Sequence, residues 1–127
     1  MMGRKEICAP DAAAIGPYSH AVDSDGFIFL SGQTPVDPHT GKLAPGGIEA
    51  QTEQAFKNLS GVLNAVGLSF DNVQKVNVFL TNMNDFQAMN EVYKKQFNKP
   101  YPARTTIGVA SLPLGANIEI EMIAKRL

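Results

Sequence analysis

Apolar and polar positions follow two periods along this chain, and the switches between them mark its elements. In SHAVDSDGFIFLSGQ, two strand-like runs flank Asp25-Gly26, a dipeptide suited to the positive φ angles of a tight hairpin turn. The second run, Phe27 to Leu30, is apolar on both faces, so cover is expected on both sides. A loop follows in TPVDPHTGKLAPGG, punctuated by Pro35, Pro38, Gly41, Pro45 and Gly46-Gly47. From Ile48 to Val66 the period lengthens. Thr52, Ala55, Phe56, Leu59, Leu63 and Val66 recur at spacings of three and four, which predicts a helix terminated by Gly67.

VQKVNVFL, from Val73 to Leu80, returns to period two, with Val76, Val78 and Leu80 alternating against Lys75, Asn77 and Phe79. A second helix is predicted from about Asp85 to Phe97, its apolar stripe made of Phe86, Met89, Tyr93 and Phe97. ARTTIGVA and NIEIEMIAK, joined by SLPLG, read as the last two strands. The order ββαβαββ predicts one α+β domain over residues 1–127, with a mixed or mostly antiparallel sheet and two helices on one face.

Period two also assigns faces. In the last strand Ile118, Ile120, Met122 and Ala124 oppose Glu119, Glu121 and Ile123. In the strand before it, Arg104, Thr106 and Gly108 oppose Thr105, Ile107 and Val109. Ile107 and Val109 are expected in the core, and Arg104 and Thr106 on the side turned away from the helices. That side then mixes arginine and glutamates with apolar groups such as Phe27 or Ile28, a mixture suited to a subunit interface. An oligomer is expected.

Composition narrows the classes. The chain has 127 residues, 44% hydrophobic and 18% charged, with a net charge of −1 and scattered basic residues. Nothing resembles the concentrated basic footprint of a nucleic-acid binder, so nucleic acid is not an expected partner. Cys8 is the only cysteine, which excludes an internal disulfide and argues against a cysteine metal site. It reads as a small apolar residue near the N-terminus, a reactive thiol being the alternative. MMGRKEICAP lacks an apolar signal region, and no apolar run approaches the roughly 20 residues of a membrane helix. The expected location is the cytoplasm.

Nucleotide-loop, metalloprotease and serine-hydrolase motifs are absent, and the histidines, His20 and His39, stand apart without a Cys or acidic cluster. A metal enzyme or a histidine-based triad is therefore not expected. Arginine, carboxylate, amide and phenol chemistry remains. Arg104 has two readings: a salt bridge to Glu119 or Glu121, within or between subunits, or a bidentate clamp for a ligand carboxylate. Glu119 and Glu121 read either as solvated edge charges or as one paired and one poised carboxylate. Asn90 falls inside the second helix's apolar stripe, where an amide needs a partner. Tyr18 follows Gly16-Pro17 in AIGPYSHAV, with core packing and a cleft position both open.

Four stretches, AIGPYSHAV, FLSGQTPVDPHTGKL, NVFLTNMNDFQAMNEVY and YPARTTIGVASLPLGANIEIEMIA, resemble the RidA (YjgF-type) family of enamine/imine deaminases, also described as L-PSP endoribonucleases. The resemblance covers about residues 9–125, and its paired SGQ and PAR motifs are highly specific. It implies a chorismate-mutase-like fold, a homotrimer with clefts between neighbours, and cofactor-free hydrolysis of small 2-imino acids. Substrates of this kind, 2-aminoacrylate and 2-iminobutanoate, would yield 2-keto acids and ammonia.

The family's carboxylate-binding arginine falls on Arg104, its cleft tyrosine on Tyr18, its SGQ serine on Ser31, its DF…N asparagine on Asn90 and its first IEIE glutamate on Glu119. Many members carry cysteine where this chain has Thr106, which excludes a thiol route there and leaves a hydroxyl for substrate or water. The expected mechanism places Arg104 on the substrate carboxylate while Glu119, with Thr106 or a backbone carbonyl, handles water and protons. The rival readings are an RNA-cleaving translation inhibitor and a non-catalytic small-acid sensor using the same cleft.

Overall fold

The computed structural model describes residues 3–9 and 16–127. Along them run β1 (Lys5–Ile7), β2 (Ala21–Ser24), β3 (Phe27–Gln33), α1 (Ile48–Asn64), β4 (Val73–Leu80), α2 (Phe86–Tyr93), β5 (Ala103–Gly108) and β6 (Ile118–Lys125). The strands form one six-stranded sheet in the order β1-β2-β3-β6-β4-β5. Only β4 and β5, the pair joined through α2, run parallel; the other neighbours are antiparallel. The expected mixed α+β architecture is therefore present.

The hairpin turns where predicted, with Asp25 and Gly26 at φ 54° and 89°. Helix α1 also closes as its sequence requires. The Leu68 N–H donates to the Leu63 carbonyl and the Gly67 N–H to the Asn64 carbonyl, the paired bonds of a Schellman motif with Gly67 at positive φ. The loop before α1 is anchored by Asn58, whose amide donates to the carbonyls of Thr34 (3.2 Å) and Val36 (2.8 Å).

Both helices lie on one face of the sheet. Ile28, Leu30, Val76, Val78, Leu80, Ile118, Ile120 and Met122 are buried there with Phe56, Leu59, Leu63 and Met89 from α1 and α2. The opposite face is uncovered: Phe27 and Phe29 are 41% and 46% exposed. The predicted two-sided cover of β3 is thus supplied on one side only, and Ile28, expected on the mixed face, belongs to the core.

Three sequence expectations change. Strand β1, three residues long with only Ile7 buried, was too short to show a period. Helix α2 stops at Tyr93, and the chain continues in tighter turns, with Lys95 and Gln96 N–H groups bonding the carbonyls of Val92 and Tyr93. Phe97 stays buried although it lies outside the helix. The faces of β5 are also reversed: Ile107 is 45% exposed, whereas Arg104 and Thr106 point toward the helices. Register fixes this, because Arg104 and Thr106 pair with Val76 and Val78 of the buried face, and Ile107 pairs with Phe79 of the other.

Candidate functional site

Arg104 sits on β5, an edge strand, and reaches α2. One of its terminal nitrogens, Nη1, donates to Oδ1 of Asn90 at 2.7 Å. Its guanidinium carbon lies 4.6 Å from the ring centroid of Tyr93 and 5.5 Å from that of Phe86. These three partners occupy the first, fifth and eighth positions of α2, one stripe at helical spacing. Burial raises the Tyr93 hydroxyl above its ordinary pKa, and the Arg104 charge partly opposes the shift. A cavity of about 410 Å³ beside the guanidinium is lined by Asn90, Tyr93, Lys94, Tyr101, Pro102 and Arg104.

Ion pairs among the described residues are Lys94–Glu91 and Arg126–Asp23, and neither involves Arg104. Glu119 pairs in register with Phe79 and Glu121 with Asn77, which places both carboxylates on the uncovered face. The Asn77 amide donates to Glu121 at 3.3 Å. A salt bridge from Arg104 to either glutamate within one protomer is therefore excluded.

The uncovered face carries a second group. A depression of about 400 Å³ is lined by Tyr18, Ser31, Gly32, Thr34, Pro113, Glu119 and Glu121. Ser31 Oγ donates to the Ser19 carbonyl at 2.6 Å, and the Ser31 N–H to the His20 carbonyl at 2.9 Å. These bonds tie β3 to the segment carrying Tyr18. Tyr18 itself is 43% exposed, so it is not a core residue of the protomer. Burial, followed by the neighbouring Glu121 charge, raises the Glu119 carboxyl above its ordinary value of 4.5, which favours a carboxyl able to give up a proton.

The predicted residues thus fall into two groups: Arg104, Asn90 and Thr106 toward α2, and Tyr18, Ser31 and Glu119 on the other face. The expectation that Arg104 and Thr106 share a sheet face with Glu119 is not met, because register places them on opposite faces. The Thr106 hydroxyl is buried and has no hydrogen-bond partner among the described residues. Cys8, expected as a small apolar residue, is exposed, and its thiol donates to Glu6 at 3.3 Å. A larger cavity of about 590 Å³ lies along α1 and contains none of the predicted site residues.

Three contributors were not singled out from the sequence. Gly32, in the quoted SGQ, lets Glu119 lie across β3: a Cβ there would stand 2.6 Å from a Glu119 carboxylate oxygen. Phe86 and Tyr93 were read as core stripe because their spacing is that of any amphipathic helix. What could have found them is the polar Asn90 between them, which marks that stripe as the seat of a polar partner.

The family model for Endoribonuclease L-PSP matches residues 8–126. The chain belongs to this family. A mouse 2-iminobutanoate/2-iminopropanoate deaminase is 50% identical over 122 residues, covering 95% of this chain and 90% of the mouse protein. Among solved structures, a yeast family protein, YEO7, superposes with a TM-score of 0.93 at 44% identity, covering 98% of this chain and 99% of its own. An Escherichia coli relative, TdcF, solved with bound serine, gives 0.91 at 41% identity, with 97% and 99% covered. The L-PSP/RidA resemblance drawn from the motifs is thereby established. No helix among the described residues is long and apolar enough to cross a membrane.

Proposed function

We propose that this L-PSP family member hydrolyses small 2-imino acids, 2-iminobutanoate and 2-iminopropanoate among them, to 2-keto acids and ammonia, in a cleft shared by two protomers of a homotrimer. The observation that carries this reading is a guanidinium held in place with no counter-charge among the described residues. Such a group favours a ligand carboxylate, and its planar fork matches one bidentately. The deaminase relatives and the serine-bound neighbour support a ligand with an amino-acid headgroup.

In this reading Arg104 of one protomer faces Tyr18, Ser31 and Glu119 of the next. The clamp fixes the carboxylate, so C2 of the imine is presented to a water. The water oxygen bonds to C2, the C=N π electrons move to nitrogen, and a carbinolamine forms. Its C–N bond then breaks and ammonia leaves as the carbonyl forms. Glu119 takes a proton from the attacking water and passes it to nitrogen, then takes the carbinolamine hydroxyl proton as the carbonyl forms and delivers it to the departing nitrogen, so the carboxyl ends as it began. Tyr18 and Ser31 shape the far wall, and Thr106 backs the clamp. The uncovered apolar face with Phe27 and Phe29 supplies surface for the subunit contact.

The test is to generate 2-iminobutanoate in situ with threonine dehydratase and to follow 2-oxobutanoate release. Acceleration by the purified protein, lost in Arg104→Ala, is the expected result. Release at the uncatalysed rate, or full activity in that variant, contradicts the reading.

A further inference from the structure

The partners of Arg104 among the described residues have a common property: none of them is charged. Asn90 offers a neutral oxygen, and Phe86 and Tyr93 offer ring faces. These contacts orient a guanidinium without cancelling its charge, whereas a carboxylate in the Asn90 position would neutralise it. The hydrogen bond engages Nη1, which leaves the Nε–Nη2 edge for a bidentate anion. Tyr93 is itself locked in place, with ring centroids 5.7 Å from Phe56 and 5.1 Å from Phe97. Arg104 therefore rests on a platform continuous with the aromatic core.

We propose that Phe86, Asn90 and Tyr93 form a neutral cradle that sets the carboxylate affinity of the site by holding Arg104 in position with its charge intact. Phe86 and Tyr93 are positioning residues acting through Arg104. The inference rests on the clamp reading of Arg104 and adds that the clamp's strength depends on the absence of an acid beside it. Losing a ring that makes a cation–π contact corresponds to roughly a tenfold change in binding, about 1.4 kcal/mol.

Asn90→Asp is the discriminating variant. It is nearly isosteric and places a carboxylate at the guanidinium. If Asn90 served stability alone, this ion pair would leave ligand binding untouched. A neutral cradle predicts an unchanged or higher melting temperature together with at least about tenfold weaker binding of 2-oxobutanoate, measured by calorimetry. In turnover the same variant should raise KM by a similar factor and change kcat much less.

Tyr93→Leu should also weaken 2-oxobutanoate binding about tenfold, and Tyr93→Phe, which keeps the ring, should recover it. Asn90→Asp or a folded Tyr93→Leu binding 2-oxobutanoate as tightly as the natural chain would overturn the cradle. A natural protein that binds 2-oxobutanoate in this variant-sensitive way but fails to accelerate imine hydrolysis would support the cradle and refute the deaminase reading, so the two fail separately.

Discussion

Arg104 is turned toward α2 and held by an amide and two ring faces on an element packed into the core, whereas Tyr18, Ser31 and Glu119 line an open depression on the uncovered face. The first group carries a positive charge with no counter-charge among the described residues. The second carries two carboxylates, one with raised proton affinity. The first is preorganised by helix packing; the second is tied to the rest of the chain partly through exposed bonds, such as Ser19 to Glu6 at 2.7 Å. The groups are complementary in charge and role, yet the sheet separates them. The contrast teaches that one protomer holds these two groups apart, and the proposed shared cleft is what would bring them together.

The largest expected effect falls on the charged half. Arg104→Ala should lower kcat/KM by about thirtyfold to several thousandfold, the range that corresponds to the 2–5 kcal/mol typical of truncating one partner of a desolvated charge pair. Light scattering should show the same oligomer, since Arg104 is held by its own chain's α2. A variant that retains near-normal kcat/KM would break the contrast by removing the need for a clamp.

Gly32→Ala probes the other half. The added Cβ meets the far end of a flexible glutamate rather than backbone, so thermal stability should change by no more than about 1 kcal/mol. Turnover should fall about tenfold as the Glu119 carboxylate is displaced, because small misplacements of a reacting group are costly. Unchanged turnover would show that the position of Glu119 over β3 is irrelevant to the chemistry.

The smallest effect concerns the exposed tether. The Glu6 carboxyl is held below its ordinary value of 4.5, first by the Ser19 hydroxyl and then by the Cys8 thiol. A lowered carboxyl contributes stability that is present above its unfolded value and lost as pH falls through the folded one. Glu6→Gln should therefore melt slightly below the natural chain at pH 7, with the gap closing below pH 4.5. A gap that persists at pH 2.5 would show that the tether acts through packing instead.

Much of this arrangement was legible in the sequence. The hairpin at Asp25-Gly26, the α1 terminator Gly67 and the alternation of Val76, Val78 and Leu80 are each dictated by local chemistry, and each stands where expected. Asn90 within an apolar stripe correctly announced a polar partner. The phase of β5 was not legible. Ile107 and Val109 look like core residues, but β5 is an edge strand whose apolar side meets no helix of its own chain, and its polar side meets α2. Periodicity reports that two faces differ; which one is covered depends on where the helix lands. The RidA-type motifs likewise brought Arg104 and Glu119 into one list without indicating that they belong to opposite faces of one sheet.

The shared site can be tested by mixing two defective proteins. Arg104→Ala and Glu119→Ala should each be inactive as pure oligomers. If each cleft takes Arg104 from one protomer and Glu119 from its neighbour, dissociating and randomly reassembling an equal mixture restores intact clefts. Each contributor is then the right one half the time, so about a quarter of the natural activity should return. Recovery near that level is the result the account predicts. Mixed oligomers that form and remain as inactive as their parents would contradict it, because both groups would then have to act within a single protomer.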